Sequence, residues 1–467
     1  MATRFVPIDR DTPLLLPPNL RDWVPADHLV HFLLDAVDAL DLRQVKVNSR
    51  GTGSAQYPPH VLLALLIYSY ATGIFGSRRI EQSTYDSVPV RLLTGDTHPD
   101  HDTLCTFRRE NQALLTESFV KVLQLAQQLQ VLKFGQLTVA ADGTKVLANA
   151  SKHSAVSYQR AGEMIVQLEL EVAQLLAKAE QADATPLQDG LTIPAEITRR
   201  QERKAALAQA RAEIEARAQA RYALQLAEHA AQLAHRAAKK ERGEKVGGKP
   251  PEPPTPGPAP GDQYNFTDPE SRIMKAGNGP HFEQAYNAQA AVEIESRLIV
   301  GERVSQAPND KQELVPTLAA IPAAAGPVAS ALVDSGFFSA QAVAQIERAV
   351  DGTPTGTVVY AAVEKTGHHR RVADLEKQAE PAPPAADARG IEVMRHRLKT
   401  TAGQALYKLR QQTVEPVFGI LKAVLGFRQF HLRGQAKVAL EWTLVCLAYN
   451  LKRLHRLGGG LKLAEQN

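Results

Sequence analysis

Cysteine is scarce in this chain of 467 residues: there are two, Cys105 and Cys446. Two thiols cannot build a disulfide framework or a four-thiolate zinc site, and they fit a reducing compartment. Long apolar runs are missing too. The most apolar stretch without Asp, Glu, Lys or Arg, residues 61–77, falls just short of a membrane span and contains Tyr, Ser, Thr and Gly, so a buried core helix is expected there. The first residues carry Asp9, Arg10 and Asp11 and no apolar segment of the kind a secretion signal needs. A soluble, cytoplasmic protein is expected, with no membrane partner. Gly-x-Ser-x-Gly, Walker and dinucleotide motifs are absent, and Gly458-Gly459-Gly460 follows no strand, so it reads as a flexible end. Apolar residues at 44% and charged residues at 22% exclude a wholly disordered or collagen-like chain. The length fits about three domain-sized units.

Charge is unevenly spread. From Ile391 onward there are 13 Lys and Arg against 4 Asp and Glu, a segment of +9 on a chain of +4 overall. A basic end on a near-neutral body fits a polyanion partner or a solvated basic surface. Residues 1–125 read as helical: Asp27 is placed to cap a helix over 28–40, Pro58-Pro59 opens one over 60–73, and Asp102 is placed to cap the segment through Arg108-Arg109. Short helices with exposed Arg pairs, Arg78-Arg79 and Arg108-Arg109, suit a DNA-binding module and equally suit any helical bundle. His98, Asp100, His101 and Asp102 are crowded and lack an evident further ligand, which argues against zinc.

Residues 136–147 read as a buried strand with Asp142 near its middle. Residues 155–243 read as a helical hairpin, 156–183 and 195–240, broken at Asp189-Gly190 and Pro194. Ile165, Leu168, Val172 and Leu175 form its stripe. Residues 246–260 hold 7 prolines and read as an extended linker. Strands are expected over 284–293, 298–304, 328–334 and 357–363. Ser339 is placed to cap a helix over 340–349. Helices are expected over 404–425 and 435–457. Without the insertion, this is the element order of a ribonuclease H-like α/β fold. That fold has a mixed five-stranded sheet, here preceded by an all-α N-terminal domain.

Three acids sit where that order would gather them: Asp142 on the first strand, Asp334 ending the fourth, and Glu415 on a late helix. Carboxylates are the hard oxygen ligands that Mg²⁺ takes, with phosphate completing its shell. Two such ions about 4 Å apart assist an in-line displacement at phosphorus. Three unrelated surface acids are the alternative. Arg410 and Lys422 flank Glu415, where a phosphate backbone would lie. Pro416 is awkward in mid-helix, so a helix starting there with Glu415 as its cap is expected.

Tyr407, Arg410, Glu415 and Lys422 resemble the Tyr-Arg-Glu-Lys signature of the DDE transposases of bacterial insertion sequences. Asp142-Gly143-Thr144-Lys145 is similar to that family's first-Asp motif, and Val333-Asp334-Ser335-Gly336-Phe337-Phe338-Ser339 to its second. Tyr286-Asn287-Ala288-Gln289 with Asn309-Asp310 resembles its second and third strands. Val414 to Gly419, Gly426-Phe427-Arg428 and Arg433-Gly434 resemble the Glu block of one subgroup. Pro99-Asp100-His101-Asp102-Thr103 with Phe107-Arg108 resembles that subgroup's helical N-terminal domain. The chain departs from the pattern in two ways. Four residues rather than three separate Arg410 from Glu415, and the insertion falls between the two Asp motifs.

The resemblance implies a metal-dependent DNA transposase. Asp142, Asp334 and Glu415 would be the catalytic acids and ligands of Mg²⁺, with Mn²⁺ as a substitute and two ions per site. Tyr407, Arg410, Lys422, Arg428 and Arg433 would contact DNA. The partners implied are the double-stranded DNA of the element's ends and target, and a second copy of the chain. The enzyme would work in a bacterial cytoplasm, at the nucleoid. The division expected is a DNA-binding domain over 1–125, a catalytic domain over 126–154 and 263–457, a hairpin insertion with linker over 155–262, and a tail over 458–467. A non-transposing nuclease and an inert DNA-end-binding remnant are the alternatives.

Overall fold

The computed structural model describes residues 19–40, 42, 45–46, 56–133, 135–184, 192–241, 243, 249–275, 281–349, 351–363, 380–385, 388 and 390–458. The chain forms two compact units, one of Met1–Leu147 with Tyr286–Asn467 and one of Ala148–Ala285.

In the first unit a set of helices precedes the sheet: Leu29–Asp38, Pro59–Ala71, Ser77–Asp86, Val88–Thr94, His101–Glu110 and Gln112–Gln128. Pro59 opens its helix at the first turn, where a missing N–H is harmless. The helix stops before Gly73, which has φ +85° and passes so near Leu425 that a Cβ would lie 2.8 Å from that residue's carbonyl oxygen. Glycine alone satisfies both demands. Two expected caps fall elsewhere. His28, not Asp27, caps the first helix, its Nδ1 accepting from Val30 N at 3.2 Å. Asp100, not Asp102, caps the helix from His101, accepting from Thr103 N at 2.6 Å. A cap reaches the N–H two or three residues on, and Asp102 already lies inside the first turn.

Five strands follow, which we label β1 (Leu137–Leu147), β2 (Phe282–Glu293), β3 (Ile299–Ser305), β4 (Val328–Val333) and β5 (Val358–Ala361). They lie in the order β3-β2-β1-β4-β5, and a further strand, Arg272–Lys275, pairs with the start of β2, so the sheet has six strands and not the five expected. β2 and β3 are antiparallel, while β1–β4 and β4–β5 are parallel. Parallel neighbours need long crossovers. Between β1 and β4 the chain supplies all of β2, β3 and the second unit. Ser339 caps the helix Ala340–Glu347 by accepting from Ala342 N, as its spacing predicts.

The last helix, Gln435–Arg456, is buried along most of its length. Its Asn450 side chain clamps the Ile299 backbone, donating to the carbonyl at 2.8 Å and accepting from the N–H at 2.9 Å. Trp442 Nε1 donates to the Gln289 carbonyl at 3.0 Å. Cys446 is buried on this helix, and neither cysteine forms a disulfide. Among the described residues no helix is long and apolar enough to cross a membrane.

The second unit contains the hairpin, Tyr158–Ala184 and Ile193–Glu241. Leu168, Leu207, Ala210 and Ile214 pack between the arms with Val156 and Tyr264. Ala155–Ser157 pairs antiparallel with Gln263–Asn265, and Arg272–Lys275 pairs with residues 282–285, where β2 begins. The Pro-rich segment lies against the longer helix rather than running free. His229 Nε2 bonds the Pro251 carbonyl at 3.1 Å, and Arg221 reaches both Asp262 oxygens at 3.1 and 2.8 Å. An extended Pro-rich chain makes no internal backbone hydrogen bonds, so its carbonyls remain open to such donors.

Candidate active site

The register of two parallel strands sets the first acidic pair. Ala140 on β1 pairs with Leu332 on β4. Two residues further along each chain stand Asp142 and Asp334. Each carboxylate is steadied by a nearby N–H: Asp142 Oδ1 accepts from Gly143 N, and Asp334 Oδ1 from Gly336 N, both at 2.8 Å.

The helix Thr401–Gly419 brings the next groups. Tyr407 donates its hydroxyl to the Val333 carbonyl at 3.1 Å, which ties the helix to the residue before Asp334. Arg410 Nη1 lies 3.4 Å from Asp142 Oδ2 and 3.6 Å from Glu415 Oε1. The Arg410 side chain is 10% exposed, whereas that of Glu415 is 54% exposed. The helix does not start at Pro416 as expected. It runs through that residue and then widens into a π-helical turn, Ile420–Val424, closed by Leu425 N bonding the Ile420 carbonyl. Proline within a helix removes one ladder bond, and π turns recur at functional sites.

Burial pushes the Asp142 carboxyl up from 3.8 to about 7. Arg410 pulls it down, while Asp334 and Asp310 push it further up. For Arg410, burial lowers the pKa, but Asp142, Tyr407 and Asp334 outweigh it and hold the guanidinium above its usual range. One cation is thus shared among the acids.

Asp310 joins the site without any role foreseen for it in the sequence. Its Oδ1 accepts from Asn287 Nδ2 and Gln289 Nε2, both at 2.7 Å, and Lys145 Nζ is 4.0 Å away. Asn287 Oδ1, Gln289 Oε1 and Lys145 Nζ are buried without hydrogen-bond partners. A Cβ on Gly143 would meet Gln289 Nε2 at 2.3 Å and Asp310 Oδ1 at 2.5 Å, so glycine beside Asp142 lets the cluster pack against β1. The sequence signal was the pair of amides two residues apart on β2, which share a face.

The donor set is all oxygen and carries concentrated, buried negative charge, which suits a divalent cation such as Mg²⁺. Asp142 and Asp334 fit that use. Glu415 is separated from Asp142 by Arg410, and among the described residues no three His, Cys, Asp or Glu side chains are gathered closely enough to hold a metal ion. That includes the 98–102 segment, where His98 stacks on Tyr85 at 3.9 Å and His101 bonds Glu81 at 2.7 Å.

The remaining cations divide. Lys422 Nζ donates to the Lys145 carbonyl at 2.7 Å, and burial lowers its pKa. In this arrangement it braces β1. Phe427 and Phe430 are buried, while Arg428 and Arg433, between and after them, are exposed. Arg428 Nε donates to the Lys422 carbonyl at 3.1 Å. His431 N is held by Glu441 Oε2 at 2.9 Å. Arg108 is buried, its Nη1 donating to the Tyr70 hydroxyl at 3.4 Å. The His368-His369-Arg370-Arg371 run lies outside the described residues.

Two family models match. Residues 385–455, which carry Tyr407, Arg410, Glu415 and Lys422, match the transposase DDE domain. Residues 18–110 match the transposase domain (DUF772). These two regions are those of an insertion-sequence DDE transposase. The DDE-domain match takes in the whole helix that reaches Asp142, and the other match takes in the helices from Leu29–Asp38 to His101–Glu110. Nothing matches the chain among curated proteins or among solved structures.

Proposed function

We propose that this transposase cuts DNA at the ends of its element and joins the freed 3′-hydroxyls to target DNA, using Asp142, Asp334 and Glu415 as its carboxylate triad. The observation that carries the reading is that Asp142 on β1 and Asp334, just past the end of the adjacent parallel β4, each stand two residues beyond the paired Ala140 and Leu332, with Arg410 linking Asp142 to Glu415. The strand order β3-β2-β1-β4-β5 supports a ribonuclease H-like catalytic domain. In parallel sheets, ligands bind beyond the carboxyl ends of the strands, where Asp334 stands.

Asp142 and Asp334 would hold the divalent cation, and Glu415 would join them once released from Arg410. Bound there, Mg²⁺ or Mn²⁺ supplies Lewis-acid stabilisation of the charge that develops on phosphate. The chain itself orients and neutralises. Tyr407 fixes the strand end before Asp334, and Lys422 fixes β1 behind Asp142. Arg428 and Arg433 hold backbone phosphates, and Arg410 reaches a phosphate when it leaves the acids. Catalysis is then positioning and electrostatics around phosphorus, with no covalent protein intermediate. The helices of 18–110 would recognise the ends, and two copies would bring two ends together.

Strand transfer separates this reading from a plain nuclease. A short duplex ending in the element's 3′-hydroxyl, mixed with protein, Mg²⁺ and a plasmid, should become covalently joined to the plasmid. Nicked or linear plasmid without joined duplex would favour a nuclease.

A further inference from the structure

We propose that the Arg410 guanidinium is the resident counter-ion of the acidic cluster, and that a divalent cation enters by displacing it. This inference rests on the metal-site reading above. A single nitrogen, Nη1, stands 3.4 Å from Asp142 Oδ2 and 3.6 Å from Glu415 Oε1. Asp334 and Tyr407 add to the attraction. The guanidinium therefore lies between one acid of β1 and one of its own helix, and within the electrostatic influence of Asp334 just past the end of β4.

The contacts are of a kind that exchanges. A charge-assisted N–H···O bond runs about 2.7–2.9 Å, and arginine pairs with carboxylates best through two parallel bonds. Here both distances are longer, and the one nitrogen serves both acids. The side chain is nonetheless 10% exposed. Arg410 is thus held by charge more than by directed bonds. Mg²⁺ draws its oxygens to about 2.0–2.1 Å. A carboxylate turned inward to that distance turns away from Arg410, and an ion seated on Asp142 repels the guanidinium beside it.

A fixed brace is the other role such an arginine can have. It would hold Asp142 in place and stay there when metal binds. The two roles predict opposite signs. Losing a brace weakens metal binding, whereas losing a counter-ion strengthens it.

The test is Mn²⁺ binding by the full chain without DNA, read as free Mn²⁺ by electron paramagnetic resonance. It is run well above the pH of about 7 at which Asp142 titrates, so that protonation does not enter. Arg410→Gln should bind Mn²⁺ about tenfold or more tightly than the wild type, the usual reach of one unit charge on a charged neighbour. Arg410→Lys, which keeps the charge, should stay near the wild type, and Asp142→Asn should lose binding. Equal or weaker binding by Arg410→Gln, with binding still lost in Asp142→Asn, overturns the inference and leaves the metal site standing. No binding by any of the four proteins overturns both.

Should Arg410→Gln fail to fold, the wild type carries the test. Labelling of Arg410 by an arginine-selective dicarbonyl, followed by mass spectrometry, should rise when Mn²⁺ is added. Unchanged or reduced labelling overturns the inference.

Discussion

Tyr70, on the helix Pro59–Ala71, donates its hydroxyl to Glu441 on the last helix at 3.1 Å, across 371 residues of chain. Glu441 is buried and also accepts from the backbone N–H groups of His431 and Leu432, both at 2.9 Å. Phe75 and Phe427 meet edge to face at 5.1 Å in the same region. The helices before the sheet are therefore packed into the same unit as the acids, and the 428–433 segment, which exposes Arg428 and Arg433, is anchored from beneath.

Glu441→Ala should destabilise the protein strongly. It removes a buried charge that several donors face, a change that typically costs about 3–5 kcal/mol. Chemical denaturation checks this, and a loss under about 1 kcal/mol would contradict the anchoring role.

Gly143→Ala should lower stability by about 1–3 kcal/mol, the usual range for overpacking. The new methyl has no room beside Gln289 and Asp310. An unchanged denaturation midpoint would mean that the amide and acid cluster yields freely.

Much of this was legible in the sequence. The strand around Asp142, the Ser339 cap and the two arms of the hairpin follow from periodicity and from capping residues, which act locally. The proximity of Asp142 and Asp334 was legible only through the topology, because it depends on register between distant segments. At Pro416 the sequence pointed two ways, to one helix over 404–425 and to a fresh start at that proline. Local propensity favours a break there, and the packing of Val414, Val417 and Phe418, all buried, overrides it. Arg108 read as a surface cation, yet it is buried against Tyr70, a partner that only tertiary structure supplies. Lys422 likewise read as a phosphate contact, while its amine reaches a backbone carbonyl of β1.

Asp142 also predicts a pH dependence. In the folded, metal-free chain its carboxyl is raised from 3.8 to about 7. Between those values the folded chain holds a proton that the unfolded chain has released. The associated stability is complete below the lower value and is lost as the pH rises through about 7. Asp142→Asn, neutral throughout, should therefore be more stable than the wild type above that pH in EDTA, by roughly 1–3 kcal/mol. The difference should vanish in acid. Parallel stability curves across the range would contradict the burial of this charge.

Arg428→Ala and Arg433→Ala should weaken DNA binding whatever the sequence. Each should flatten the log–log salt dependence by about 0.9, the slope of one neutralised phosphate. A salt slope identical to that of the wild type would remove these residues from the interface.

The most direct test of the central claim is cleavage of a plasmid carrying the DNA that flanks this gene, with Mg²⁺, with EDTA and with Glu415→Gln. The account predicts cuts at short inverted repeats that need Mg²⁺. In the variant they should fall by a factor of about a thousand or more, while DNA binding persists. Cuts scattered along the plasmid, or full activity in Glu415→Gln, would contradict it.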